Sequence, residues 1–151
     1  MEDLRGWISK VQELGELRTI EGADWNLEIG AITHLNAEQK DGPAIEFDTI
    51  PGYPRGYRVL TSPFLSYRRI SLTLHLQITN SAVQMLQVLA EKVPKWERDI
   101  ASYQPEIVGH GAIMENVHSG QEVDLLEFPV PYWHEGDGGR YIGTGCAVIT
   151  R

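Results

Sequence analysis

Leu4, Trp7, Ile8, Val11 and Leu14 recur at helical intervals near the start of the chain. That spacing puts all five on one face of an α-helix. Asp3 stands where an N-cap belongs and Gly15 where a helix-ending glycine does, so the pattern predicts an amphipathic helix over 3–14. ELRTI (16–20) then predicts a short strand. Asp24 is placed to cap a second helix, with Leu27, Ile29, Ile32 and Leu35 as its buried stripe. Glu28 falls in the first turn of that helix, where a carboxylate favours the positive end of the dipole.

GPAIEFDTI (42–50) opens on turn residues and then alternates, with Ile45, Phe47 and Thr49 sharing one face, which predicts a strand. PGYPRG (51–56) is a turn by composition, and YRVLTS (57–62) predicts the returning strand of a hairpin. SYRRISLTLHL (66–76) pulls both ways. Its β-branched residues favour a strand, whereas the Ser66 cap and the Ile70–Leu74 spacing favour a helix, which is the reading adopted. NSAVQMLQVLAEKV (80–93) predicts a helix capped by Asn80 or Ser81, with Val83, Leu86, Leu89 and Ala90 inward and Pro94 ending it.

From Pro94 to Pro105 the chain has the composition of a linker. Beyond it, IVGHGAIMENVHSG and YIGTGCAVIT are rich in strand formers and punctuated by glycine. The expected organisation is therefore an α+β domain over 1–105, followed over 106–151 by the opening strands of a β-rich domain. Two or three strands are too few to close a barrel or sandwich, so this second unit is expected to be incomplete.

Composition narrows the class. The chain has 151 residues, 42% of them hydrophobic, which suits a soluble globular protein. No apolar run approaches the roughly 20 residues of a membrane span. MEDLRGWISK carries acids and no apolar core of a signal peptide. Cys146 is the single cysteine, so no internal disulfide is available and a cytoplasmic location is expected. With a formal net charge of −8 and Arg68-Arg69 as the one basic cluster, nucleic-acid binding is not expected.

The candidate chemistry is sparse. His34, His75, His110, His118 and His134 show no zinc-motif spacing, and no second cysteine exists. On one strand, His110 and His118 would stand roughly 26 Å apart, too far to share an ion. No metal ligand is assigned. His134, beside Glu135 and Asp137 in a Gly-rich loop, is balanced between a functional and a surface role. Cys146 alternates with Ile142, Thr144 and Val148, the pattern of a buried small hydrophobe rather than a nucleophile. GDGGRYIGTG (136–145) lacks a nucleotide fingerprint, because its strand follows the glycines instead of preceding them. Gly143 and Gly145 flank Thr144 and thin one strand face, which would let a flat group lie close.

Several stretches recur together in an order that resembles a known family. Val123-Asp124-Leu125, Phe128-Pro129-Val130-Pro131, Trp133-His134, Asp137-Gly138-Gly139 and Tyr141-Ile142-Gly143-Thr144 resemble the signature region of the UbiD reversible decarboxylases. DLRGWISKVQELGELRTI, GPAIEFDTIPGYP and SYRRISLTL are similar to that family's opening helix and strand, its hairpin and its Ser-Arg-Arg helix. The resemblance spans essentially the whole chain.

It implies an α+β domain leading into a split β-barrel-like flavin domain. It also implies prenylated FMN with Mn2+ and K+ as cofactors, and removal of CO2 from an aromatic or α,β-unsaturated carboxylic acid. In the family the Asn and Arg that hold the cofactor follow a strand like 141–151. The His and Glu metal ligands and the Glu residues for proton transfer come later. None of these positions lies within this sequence, so no catalytic residue is assigned and the isolated chain is expected to be inactive. Thr144 alone matches a family position beside the flavin and substrate pocket and is the one cofactor-binding residue expected here. The implied partners are the remainder of the same polypeptide or a complementary subunit, in a homo-oligomer. Two alternatives are a non-catalytic subunit or binding module completed by another chain, and a free-standing truncated protein without flavin chemistry.

Overall fold

The computed structural model describes residues 3–111 and 114–143. The first helix, α1 (Leu4–Glu13), starts as the sequence predicts, with the Asp3 carboxylate accepting the Gly6 amide at 2.8 Å. It ends at Gly15, whose φ of +72° suits glycine. Gly15 N–H donates to the Gln12 carbonyl and Glu16 N–H to the Val11 carbonyl, so two otherwise orphan acceptors are satisfied. Trp7 and Val11 are the buried face, while Leu4 is largely exposed.

Three strands follow in spatial order β1 (Leu17–Glu21), β2 (Ala44–Asp48), β3 (Val59–Thr61). β1 and β2 are parallel, with Leu17 opposite Ala44, and α2 (Glu28–Ala37) forms the crossover between them. β2 and β3 are antiparallel, with Ile45 opposite Thr61, which is the predicted hairpin. As the central strand β2 is covered on both faces, and its residues 44–47 are all buried. On one face, Ile45 and Phe47 pack with Ile29 of α2, Ala23 and Ile50. On the other, Ala44 packs with Trp7 and Val11 of α1. The molecule is thus α+β, as expected, with one small open sheet between helices.

The second helix departs from its predicted form. Asp24 does not cap it. Its carboxylate instead accepts the Asn26 amide, making a turn ahead of the helix, and the Glu28 carboxylate reaches back to the Asp24 amide. The position before α2 is Leu27, at φ +69° and ψ −32° with no side-chain cap. Glu28 N–H donates to the Asn26 carbonyl two residues back, so Leu27 is the centre of a γ-turn, a strained conformation for a bulky side chain. The inward set is Ile29, Gly30 and Asn36, whereas the predicted Leu35 is 61% exposed.

α3 (Tyr67–Thr73) confirms the helical reading of its ambiguous segment, and the Ser66 hydroxyl caps it by accepting the Arg69 amide. Its buried residues are Arg69 and Ser71 rather than an apolar stripe. Arg69 is fully buried and donates to Glu16 at 2.6 Å and to the carbonyls of Gly42 and Pro63. Burial lowers its pKa from the ordinary arginine value, and the Glu16 carboxylate opposes that shift. Both members of the basic pair are therefore committed to Glu16, with the half-buried Arg68 bonded to it at 2.7 Å.

α4 (Ala82–Asp99) is capped by Ser81 but does not stop at Pro94, which lies inside it. Proline removes the N–H that would serve the Ala90 carbonyl. This stretch of α4 is exposed, so water can take that acceptor. Val83 and Leu86, predicted inward, are 65% and 67% exposed, and Met85 is the buried residue. Among the described residues α4 packs on α3; Val88 and the predicted Leu89 are half-buried, whereas Val93 and Trp96 are exposed, as is the predicted Ala90. Residues 106–111 and 114–143 contain short 3-10 turns and no strand ladder. The strand character read in IVGHGAIMENVHSG (107–120) is not realised over its described part, since no second strand lies alongside to take its hydrogen bonds. Most of the strand predicted at 141–150 falls outside the described residues.

Candidate functional site at the seam between the two segments

The signature segment does not float free of the first hundred residues. Tyr132 N–H donates to the Trp25 carbonyl at 3.0 Å, and Leu27 N–H donates to the Tyr132 carbonyl at 2.9 Å. Asn26 and Tyr132 thereby form an isolated parallel bridge just before α2. Trp133 then lies across α2 at Gly30, and its indole N–H reaches the Tyr141 carbonyl at 2.8 Å. A Cβ built on Gly30 would meet the Trp133 carbonyl oxygen at 1.9 Å, so only glycine allows this approach. The Trp133 ring also packs against the cluster around Ile45 and Phe47, joining the segment to the main core.

Arg140 completes the seam. Its Nε donates to the Val130 carbonyl at 2.6 Å, and Nη2 donates to the Phe128 carbonyl at 3.2 Å and to the Tyr53 hydroxyl. The guanidinium carbon sits 4.0 Å from the Trp25 ring centroid and 5.7 Å from that of Tyr53. Those distances are in the cation–π range. Tyr53 donates in turn to the Leu126 carbonyl, and Tyr57 donates to Glu127 at 3.0 Å. The Glu127 hydrogen bond and negative charge hold the Tyr57 phenol above its ordinary pKa.

A cleft of about 670 Å³ opens beside this seam, lined by Tyr57, Arg58, Thr61, Phe128, Trp133 and Ile142 among others. Most of its wall is apolar. Arg58, the guanidinium in its lining, is bonded to Glu46 at 2.6 Å. Arg140 is equally committed to carbonyls and rings. The seam residues therefore suit an apolar or aromatic group, and no described arginine of the seam is free to hold a phosphate. The described residues do not fit a flavin phosphate on their own.

Thr144 and Cys146 lie outside the described residues. Ile142 and Gly143, which lead to them, are exposed at the rim. His134 sits 3.7 Å from Asp137, whose carboxylate also accepts the His134 amide. Across the seam its ring meets that of His34 edge-on at 5.9 Å, and His34 stands 3.5 Å from Glu38. These are two exposed His–carboxylate pairs. Among the described residues no three His, Cys, Asp or Glu side chains converge on one ion position. His118 Nδ1 donates locally to the Glu122 carbonyl at 3.1 Å.

Sequence reasoning missed Trp25, Gly30, Tyr53 and Arg140. One signal was available: a glycine inside a helical pattern often marks a close backbone approach. The partner in that approach, a tryptophan a hundred residues later, is a product of tertiary structure.

Comparison with known proteins gives a consistent picture. Residues 8–89 match the 3-octaprenyl-4-hydroxybenzoate carboxy-lyase N-terminal domain (UbiD_N), and residues 106–151 match the Rift-related domain of the same carboxy-lyase (UbiD). A pyrrole-2-carboxylic acid decarboxylase of Pseudomonas aeruginosa is 35% identical over 94% of this chain. The aligned region is 29% of that relative's length. Among solved structures, the vanillic acid decarboxylase of Sedimentibacter hydroxybenzoicus in closed form superposes over 93% of this chain. The TM-score is 0.71 at 25% identity, and 29% of the decarboxylase chain is covered. An open form of the same enzyme gives a TM-score of 0.55 at 27% identity, over 64% of this chain and 21% of the other.

Proposed function

The chain belongs to the UbiD carboxy-lyase family, and from that membership we propose that it is the N-terminal part of a reversible decarboxylase. The substrate is an aromatic or α,β-unsaturated carboxylic acid, from which the complete protein releases CO2. Its cofactor is prenylated FMN with Mn2+ and K+. The proposal assigns their ligands and the acid–base glutamates to residues outside this sequence, with Thr144 as the one cofactor-facing residue inside it. The division at 105/106 is part of the same reading, supported by the two family matches on either side of it.

The observation that carries the proposal is the seam. A family signature matched by chance would have no reason to dock. Here Tyr132, Trp133 and Arg140 bind the N-terminal domain at Trp25, Gly30 and Tyr53. The signature is thus a structural unit with that domain.

Completion by more polypeptide, from the same chain or a complementary subunit, is supported by the apolar surface left uncovered. Ile100, Tyr103 and Ile107 are 70%, 79% and 98% exposed, and Leu125 is 67% exposed. A homo-oligomer of the complete protein and a cytoplasmic location belong to the proposal. Among the described residues no helix is long and apolar enough to cross a membrane.

The test compares the 151-residue chain with a longer polypeptide that begins with it. Both are supplied with prenylated FMN and Mn2+ and offered a panel of aromatic and unsaturated acids. CO2 release by the longer polypeptide alone is the expected result. Turnover by residues 1–151, or none by the longer protein with flavin bound, overturns the proposal.

A further inference from the structure

We propose that Arg140 is a positioning residue that clamps the run leading to Thr144 onto the N-terminal domain. The inference rests on the reading of Thr144 given above and adds a residue to it. Arg140 precedes Tyr141-Ile142-Gly143-Thr144 directly, so whatever fixes Arg140 fixes the start of that run. Three acceptors on two different segments receive its N–H groups. The carbonyls of Phe128 and Val130 belong to the incoming arm of the signature, and the Tyr53 hydroxyl belongs to the turn after β2. Trp25, on the connection from β1 to α2, takes the flat face of the guanidinium.

One side chain thereby ties the incoming arm and the outgoing arm to each other and both to the N-terminal domain. Only a planar fork can donate in its plane while stacking on its face. Arg140 is surrounded here by carbonyls, a phenol and two aromatic rings, so its positive charge faces no described carboxylate partner at the seam. An arginine needed only for a surface ion pair would not be spent in this way. The neighbouring glycines leave the hold on this loop to such anchors, Arg140 acting beside the Trp133–Tyr141 and His134–Asp137 bonds. Gly136 and Gly139 both take positive φ, and a Cβ on Gly138 would meet nothing, so the loop has no side-chain packing of its own at these positions.

The experiment has two arms. In the first, hydrogen exchange is measured on the 151-residue chain, wild type and with Arg140→Lys or Arg140→Met. The Leu27 and Tyr132 amides, which bond across the seam, are expected to lose protection by about tenfold or more in Arg140→Met, through local opening. Lysine keeps the charge but not the fork, so Arg140→Lys is expected to fall between the two. The Gly22 and Ala44 amides, which bond beside β1 and β2, are expected to keep their protection. Unchanged protection at Leu27 and Tyr132 overturns the clamp, and so does equal loss at all four amides, which would mean general destabilisation.

In the second arm, the same substitutions are made in the complete decarboxylase, and prenylated FMN affinity is read by flavin absorbance alongside kcat and KM. Weaker flavin binding and lower kcat, with partial rescue by lysine, support positioning of Thr144. Unchanged flavin affinity and kcat overturn it and leave Arg140 a structural clasp. Failure of the wild-type enzyme to release CO2 would count against the family-based function, while the first arm would still judge the clamp.

Discussion

Gly30→Ala separates the seam from ordinary helix chemistry because the two make opposite demands. In an exposed or roomy helix interior, replacing glycine by alanine stabilises by about 1 kcal/mol. At position 30 the new Cβ would lie 1.9 Å from the Trp133 carbonyl oxygen, 2.7 Å from its carbonyl carbon and 2.8 Å from its Cα. All three are backbone atoms, so no rotamer change relieves the clash. The 131–134 stretch must retreat from α2 by roughly an ångström or more to restore ordinary van der Waals spacing. That retreat breaks the Tyr132–Trp25 and Leu27–Tyr132 hydrogen bonds. Two such bonds contribute about 1–3 kcal/mol together. Withdrawal of Trp133 from the Ile45–Phe47 cluster adds to the loss.

The expected outcome is loss of protection at the Leu27 and Tyr132 amides, with no gain in melting temperature. Gly138→Ala is the control, since a Cβ there meets nothing within 4 Å. Thermal unfolding with hydrogen exchange reads both variants. A rise of about 2–4 °C for Gly30→Ala, the shift that 1 kcal/mol gives a domain of this size, would refute the contact.

Arg69→Met strands part of the Glu16 network in the interior and is expected to cost about 3–5 kcal/mol in urea unfolding; a loss below about 1 kcal/mol would show that Arg68 and Ser66 suffice. Tyr57, whose phenol is held above its ordinary pKa by Glu127, is expected to ionise at higher pH than in Glu127→Gln, followed by phenolate absorbance. Because its folded-state value is raised above the unfolded one, its contribution to stability is present below the unfolded value. That contribution is lost as pH rises through the folded one. In the complete enzyme, Thr144→Val is expected to lower kcat/KM about tenfold, whereas Cys146→Ala changes stability more than rate. Unchanged kinetics for Thr144→Val would remove that residue from the site.

The elements with local causes were legible in the sequence. Asp3 and Gly15 bound α1 because capping needs only neighbouring residues, and the alternation of Ile45 and Phe47 marked β2. The errors came where tertiary structure overrode a local signal. Asp24 looked like a cap, but the bridge to Tyr132 holds Leu27 in a γ-turn and delays the helix. Leu35 fitted the apolar stripe of α2, yet Asn36 is the buried residue because its side-chain amide serves the Pro43 carbonyl. Val83 and Leu86 looked inward on α4, and nothing among the described residues covers them. The family signature was legible as an ordered string of motifs. Its anchorage was not, because Arg140 finds Trp25 and Tyr53 across a long sequence separation that no periodicity encodes.

The most direct test of the decarboxylase assignment is carbon exchange. A complete polypeptide beginning with these residues is loaded with prenylated FMN and Mn2+ and incubated with labelled bicarbonate and a panel of aromatic and unsaturated acids. Label entering the carboxylate of at least one acid, only when flavin is bound, is the result this account expects. No exchange with any acid, in protein shown spectroscopically to hold the flavin, would contradict it.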